Sequence, residues 1–238
     1  MTQPRPADAV VVSPHLDDAI LSLGATVAGL ARNGLAISVV TVFAGDTSSA
    51  KPCGGWDERA GFATEGEAAR ARRAEDERAC DIIGARPVWL PFSEADYRDA
   101  TLDDEAITEA LLPFLETATM TYLPGFPLTN PDHAYLSKLV LESRPAIPRI
   151  ALYAEQPYRY QVRREHRRPV TPLLPRQGRG SWTRGGLRRF ARVAKRRAIL
   201  AYSSQVSLLG LDRDDHKKLD AMLRHEALHG GEAVCLLA

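Results

Sequence analysis

Cysteine is scarce in this chain of 238 residues: Cys53, Cys80 and Cys235 stand far apart, with no Cys-x-x-Cys pair. An odd number at wide spacing excludes a disulfide framework and a thiolate zinc cluster, and predicts buried or free thiols. Cys53, in the glycine-rich stretch Pro52-Cys53-Gly54-Gly55-Trp56, is the one to examine for reactivity. Long apolar runs are also missing. None approaches the roughly 18 residues that would span a membrane, and Met1 to Asp8 has no charged-then-apolar leader layout, so a cytoplasmic protein without a membrane span is expected. Net charge is nearly absent, with 31 Lys+Arg against 30 Asp+Glu, which removes any overall electrostatic reason to bind nucleic acid or an acidic membrane. Internal repeats and low-complexity linkers are absent too.

What is present is an ordinary globular composition, 45% hydrophobic and 26% charged. A chain of this length buries roughly 70% of its unfolded surface, and one domain over residues 1–238 is the default. Val10-Val11-Val12 is a β-branched run that stops at Ser13-Pro14 and delivers His15, Asp17 and Asp18 at its carboxyl end. Such a run reads as a buried parallel strand, and the carboxyl end of a strand is where open α/β sheets place their chemistry. A helical stripe follows from Ile20 to Leu30 and ends at Asn33-Gly34. Strands are expected near 35–43, 87–92, 119–123, 150–154 and 233–237. Helices are expected near 65–83, with Gly84 as its stop, at 103–117 with a break or kink at Pro113, after His133, at 186–202 and at 213–225. This alternation predicts an α/β fold, a Rossmann-like three-layer sandwich with a mostly parallel central sheet. The first turn reads Pro-His-Leu-Asp-Asp where a dinucleotide site would need a glycine-rich loop.

A second strand end, Asn130-Pro131-Asp132-His133, resembles the first in also opening a helix. If the two strands are neighbours, His15, Asp18 and His133 converge as an N, O, N set with one position left open, the composition of a catalytic zinc site. Two imidazoles count against Mg²⁺ or Ca²⁺. Asp17 then faces water at the open position and is the candidate general base. The plain alternative is a helix cap by Asp17 with His15 at the surface.

Ser-Pro-His15-Leu-Asp17-Asp18-Ala-Ile-Leu-Ser together with Asn130-Pro-Asp132-His133 resembles the PIG-L/LmbE family of zinc-dependent N-deacetylases. Arg72-x-x-Glu75-x-x-x-Ala79 before Ile83-Gly84, and Lys195-x-x-Ala198-x-x-x-Tyr202-x-Ser204-Gln205, are similar to its later signatures. The resemblance implies one Zn²⁺ held by His15, Asp18 and His133, a base at Asp17, and removal of an N-acetyl or other N-acyl group from an amino sugar or glycoconjugate. It departs at Asn130, where the family commonly has histidine. Asn130 can donate to an oxyanion but cannot shuttle a proton, so either Asp17, once protonated, also serves as the acid, or the protein is a weak or silent binder on the same scaffold.

Asp132 is read as a carboxylate orienting a ligand or as a helix cap, and Asp46 as a sugar-hydroxyl ligand or a turn carboxylate. Arg72, Tyr158 and Trp56 are candidates for contacting the substrate. Residues 157–197 are expected to be irregular and basic: from Arg159 to Arg197, Lys and Arg outnumber the single acid Glu165 fourteen to one. This segment is either a solvated face or a lid that recruits an anionic substrate, and His166 within it is a speculative substitute for the missing histidine. A small-molecule partner, no nucleic acid, and an open question of homo-oligomerisation complete the expectation.

Overall fold

The computed structural model describes residues 7–97, 102–142, 147–165, 182–186 and 188–237. Among these residues seven strands form one sheet: β1 (Ala9–Ser13), β2 (Ile37–Thr41), β3 (Arg86–Trp89), β4 (Met120–Phe126), β5 (Ile150–Ala154), β6 (Trp182–Gly185) and β7 (Glu232–Leu236). Their order is β3-β2-β1-β4-β5-β7-β6. The first five are parallel, and β7 runs antiparallel to both β5 and β6. The expected mostly parallel α/β sheet is therefore present. The chain moves one way from β1 to β2 and the other way from β4 to β5, which makes the β1/β4 seam a topological switch point.

Helices cover both faces. Along β1, Ala9 and Val11 enter one hydrophobic cluster and Val10 and Val12 the other, as a strand buried on both sides requires. The first cluster takes in α1 (Asp18–Arg32), α3 (Glu65–Ile83), α7 (Arg189–Ile199) and α9 (Arg213–Leu228). The second takes in α4 (Asp104–Glu116) and α5 (Pro131–Glu142). Each fully buried Val or Leu in these clusters stabilises the fold by about 1.5–3 kcal/mol relative to an exposed one.

Local signals explain the ends of α3. The Thr64 hydroxyl accepts the Glu67 N–H at 3.2 Å, and Gly84 ends the helix at φ +76°, which a side chain would strain. Gly125 answers a different need: a Cβ there would lie 2.4 Å from Leu152 Cβ across the β4/β5 pair.

Three expectations change. Of the break or kink expected at Pro113, the break does not occur: α4 continues through Pro113 to Glu116, and because Pro113 is exposed, the Glu109 carbonyl it leaves without a helical partner also lies on the solvent side. The basic segment is not irregular where it is described, since α6 (Tyr158–Glu165) and β6 lie in it. The stretch expected as one helix over 186–202 begins only at Arg189, and α8 (Ser203–Val206) follows it. Short α2 (Gly55–Arg59) interrupts the long loop after β2. No helix among the described residues is long and apolar enough to cross a membrane.

One buried ionic cluster ties the layers together. The Lys195 ammonium, with no exposed surface, donates to Glu226 at 2.9 Å and to Glu232 at 2.7 Å. Glu232 in turn accepts the backbone N–H groups of Ala25 and Thr26 in α1. Burial alone would lower the Lys195 pKa, but the two carboxylates outweigh it and hold it above its usual range. Lys195→Met leaves both carboxylates buried without their counter-ion, and we expect a loss of about 3–5 kcal/mol. The urea midpoint at neutral pH measures it, and an unchanged midpoint would contradict this account.

Candidate metal centre

Two turns at the switch point carry the site. In the first, the Ser13 hydroxyl donates to the His15 carbonyl at 2.7 Å and accepts the Ala19 N–H at 3.0 Å, and Asp18 Oδ2 accepts the His15 N–H at 3.0 Å. The turn is thus closed by Ser13 and Asp18. Asp17 makes no capping hydrogen bond and sits at φ +120°, a strained value for any residue with a side chain. Its carboxylate is left to face the cleft. In the second turn, Asn130 Oδ1 accepts the Asp132 N–H at 2.9 Å, and His133 enters α5 fully buried.

Adjacent pairing of β1 and β4 brings the two turns together. His15 Nδ1, Asp18 Oδ2 and His133 Nε2 form a triangle with edges of 3.2, 3.1 and 3.1 Å. A tetrahedral ion with ligand bonds of about 2.0–2.1 Å needs donor atoms about 3.3 Å apart. Two imidazoles and one carboxylate at this spacing fit a divalent ion of borderline softness and leave a vertex open.

Each imidazole is oriented from behind. Asp132 Oδ2 lies 3.2 Å from His15 Nε2 and also accepts the Ala95 N–H, while Glu155 holds His133 Nδ1 in a short hydrogen bond and accepts the Leu128 N–H at 2.7 Å. Burial pushes His15 down, but its hydrogen bonds to Asp132 and Asp18 outweigh it and raise the pKa to about 9. The same contest at His133, won by the charge and hydrogen bond of Asp18 with the help of Glu155, raises it to about 10. Asp18 is held below the ordinary carboxylate range because the two imidazoles outweigh its burial. Asp17 moves the other way, raised by burial and by the charge of Asp18 beside it.

The triangle opens into a cleft of about 290 Å³ lined by Asp17, Leu21, Trp56, Arg72, Glu94, Asn130, Asp132, Pro157, Tyr158, Gln205 and Leu209, among others. The structure therefore gathers every proposed site residue except Asp46. That carboxylate is exposed, lies outside the cleft lining, and accepts the Ser48 hydroxyl and N–H as a turn carboxylate. Tyr158 meets His133 edge to face at 5.6 Å and engages the Asn130 side chain. Arg72 is buried and paired with Glu94 at 2.8 Å and Asp57 at 3.4 Å. Among the described residues Arg72 is the cation that lines the cleft; His166 lies outside them, as do Arg167, Arg168, Arg176 and Arg179. Cys53 gains no reactivity, since burial raises its thiol pKa.

Sequence reasoning missed Glu94 and Glu155, and quoted Ser13 and Gln205 within motifs without giving them a part in the site. Glu155 carried a signal, standing directly after a wholly buried strand as the other site residues do. Glu94 carried none, because only the fold brings it to Arg72.

A two-imidazole, one-carboxylate cradle at the switch point of an open sheet, with Asp17 lining the same cleft, is a donor set that could hold a divalent ion. The sequence matches the PIG-L family, described as GlcNAc-PI de-N-acetylase, over residues 10–143, more than half of the chain. The chain belongs to that family and is an N-deacetylase, a hydrolase of a linear amide. The crystal structure of the A40926 pseudoaglycone deacetylase Dbv21 is similar over 98% of this chain and 97% of its own, with 27% identity and a TM-score of 0.77. The zinc inhibited form of teicoplanin deacetylase Orf2 is similar over 97% of each chain, with 25% identity and a TM-score of 0.77. N,N'-diacetylchitobiose deacetylase from Pyrococcus horikoshii shares the fold at 18% identity and a TM-score of 0.60, over 97% of this chain and 82% of its own. No curated protein sequence matches the chain.

Two outcomes follow for metal binding. Because the surrounding carboxylates raise the pKa of His15 to about 9 and of His133 to about 10, protons compete with an ion for these rings at neutral pH, so affinity rises with pH. Calorimetric titration with Zn²⁺ at pH 7 in two buffers of different ionisation enthalpy should show release of about two protons; no release would contradict the assignment. Glu155→Gln and Asp132→Asn should each weaken metal affinity by about 10- to 100-fold in competition with a chelator.

Proposed function

We propose that this protein removes an acetyl group, or another N-acyl group, from the nitrogen of an amino sugar or glycoconjugate, with one Zn²⁺ held by His15, Asp18 and His133. The observation that carries the reading is the donor triangle of 3.1–3.2 Å with Asp17 and Asn130 in the same cleft. Support for the substrate comes from the family's GlcNAc-PI description and from similar structures that are deacetylases of A40926 pseudoaglycone and teicoplanin. When bound, zinc polarises the amide carbonyl and lowers the pKa of water from about 15.7 towards about 7.

The remaining steps belong to side chains of this chain. Asp17 takes a proton from the attacking water, and its raised pKa is the direction that strengthens a carboxylate base. As the new C–O bond forms, negative charge develops on the former carbonyl oxygen. Asn130, whose Oδ1 is already engaged by the Asp132 N–H, offers its amide nitrogen to that charge. Protonated Asp17 then returns its proton to the departing nitrogen as the C–N bond breaks, giving acetate and a free amine. One residue serves as base and acid in turn, which answers the absence of a histidine at position 130.

Asp132 and Glu155 act through the imidazoles they hold. Arg72 is already neutralised by Glu94 and Asp57, so the reading does not call for an anionic substrate. The whole chain is taken as one catalytic domain, and three free thiols agree with a cytoplasmic site of action.

Acetate release from N-acetylglucosamine and its glycosides tests the proposal. Asp17→Asn should lower kcat by about 10²- to 10⁴-fold while the protein retains its metal. An Asp17→Asn enzyme within twofold of the wild type would sink the mechanism.

A further inference from the structure

Charge balances over the whole chain but not in space. From Asp99 to Ser137 the sequence has no Lys or Arg, and α4, within this stretch, exposes Glu105, Glu109 and Glu116. Helix α7 is the opposite case: it contains no acid, and Arg189 and Arg192 face solvent on it. The two helices cover opposite faces of the sheet, since α4 packs in one hydrophobic cluster and α7 in the other. One copy of the chain therefore carries an acidic helix on one side of the sheet and a basic helix on the other.

Neither helix finds its counter-charge inside the chain. Among the described residues, the side chains of Glu109, Glu116, Arg189, Arg192 and Arg224 make no hydrogen bond or ion pair. Arg189 and Arg192 stand at the start of α7, and Glu116 is the last residue of α4. Each of these is the helix end whose dipole disfavours that charge, so the isolated fold gains nothing from their placement.

The two surfaces also match in spacing. Between α7 and α9 runs a groove of about 480 Å³ lined by Arg189, Arg192, Val193, Arg196, Leu223 and Arg224, among others. Val193 is 51% exposed, with Arg189 one helical turn before it and Arg196 one turn after. On α4, exposed Pro113 has Glu109 and Glu116 at the same two offsets. An apolar centre flanked by charges of opposite sign at equal spacing lets one stripe lie along the other, over the roughly 10 Å that two helical turns span. Arg196 holds Asp220 through Nε and Nη2, which leaves its Nη1 for a second carboxylate.

We propose that the groove between α7 and α9 is a docking surface for α4 of a second copy of this chain. Because the two surfaces lie on opposite sides of the sheet, a pair of copies cannot exchange both contacts at once; the contact is heterologous and runs head to tail. A concave groove suits a helix laid into it better than a flat anionic membrane. Exposed charge pairs are weak one by one and screened by salt, so the association is weak and salt-sensitive. It is independent of the reaction proposed above.

Sedimentation equilibrium of the full chain from about 10 μM to about 0.5 mM, in about 20 mM and about 0.5 M NaCl, tests the proposal. At low salt the weight-average mass should rise with concentration without levelling at the dimer, and at high salt it should fall to that of the monomer. Arg189→Glu with Arg192→Glu and, separately, Glu109→Lys with Glu116→Lys should each stay monomeric. Mixing these two variants should restore association, because each remaining basic face then meets an acidic one. A wild type that stays monomeric at low salt, a closed dimer, a double variant that associates like the wild type, or a mixture that stays monomeric would each overturn the proposal. So would salt-sensitive binding of monomeric protein to phosphatidylglycerol vesicles through Arg189 and Arg192, which assigns the groove to an anionic lipid.

Discussion

The structure depends on one constraint: two imidazoles and a carboxylate must meet within little more than 3 Å at the seam between β1 and β4 while nearly cut off from water. Burying such groups is costly unless every polar atom finds a partner. The surroundings of the seam supply them. Asp18 takes the His15 N–H, Asp132 stands behind one ring, Glu155 stands behind the other, and Ser13 closes the turn that presents the first ligand. The hydrophobic clusters above and below the sheet fix where the strand ends lie, and so fix the triangle. Strain appears where the chemistry is placed: Asp17 accepts φ +120° so that its carboxylate faces the cleft and does not cap the helix.

Charge is distributed by the same logic throughout. Near-neutrality of the whole chain conceals two kinds of cation. Lys195 and Arg72 are buried, and each is matched by two carboxylates. Arg188, Arg189, Arg192 and Arg197, by contrast, face solvent at or on α7 and are absent from the cleft lining. Part of the local excess of arginine in the sequence thus belongs to a solvated helix face, while Arg159 in α6 is buried and Arg184 lies on β6. In the cleft the charged groups are carboxylates, the His15 imidazole and the paired Arg72.

Much of this was readable because it is local. Strands β1 and β2 announce themselves as β-branched runs and β3 to β5 as short apolar stretches, the stop of α3 as Gly84, and the candidate ligands as residues standing at strand ends in Pro-His-x-Asp-Asp and Asn-Pro-Asp-His turns. Pro113 does not break α4, since a proline on the exposed face of an amphipathic helix gives up a hydrogen bond whose carbonyl can turn to solvent. Strand β6 went unnoticed because four residues inside an arginine-rich stretch carry too little pattern to stand out.

Residue type and spacing along the chain were enough to name the α/β class and to propose three candidate ligands and a candidate base, because period, strand ends and turn composition are set by near neighbours. Pairing of β1 with β4, which brings nitrogen atoms of His15 and His133, distant in sequence, to 3.1 Å from each other, was decided by the fold. So were the partners of those ligands, Glu155 and Glu94, the exclusion of Asp46, and the Trp56–Gln205 contact between residues 149 positions apart. These depend on sheet order and on which helix covers which face, and both follow from burial summed over the whole chain, which no short stretch of sequence contains.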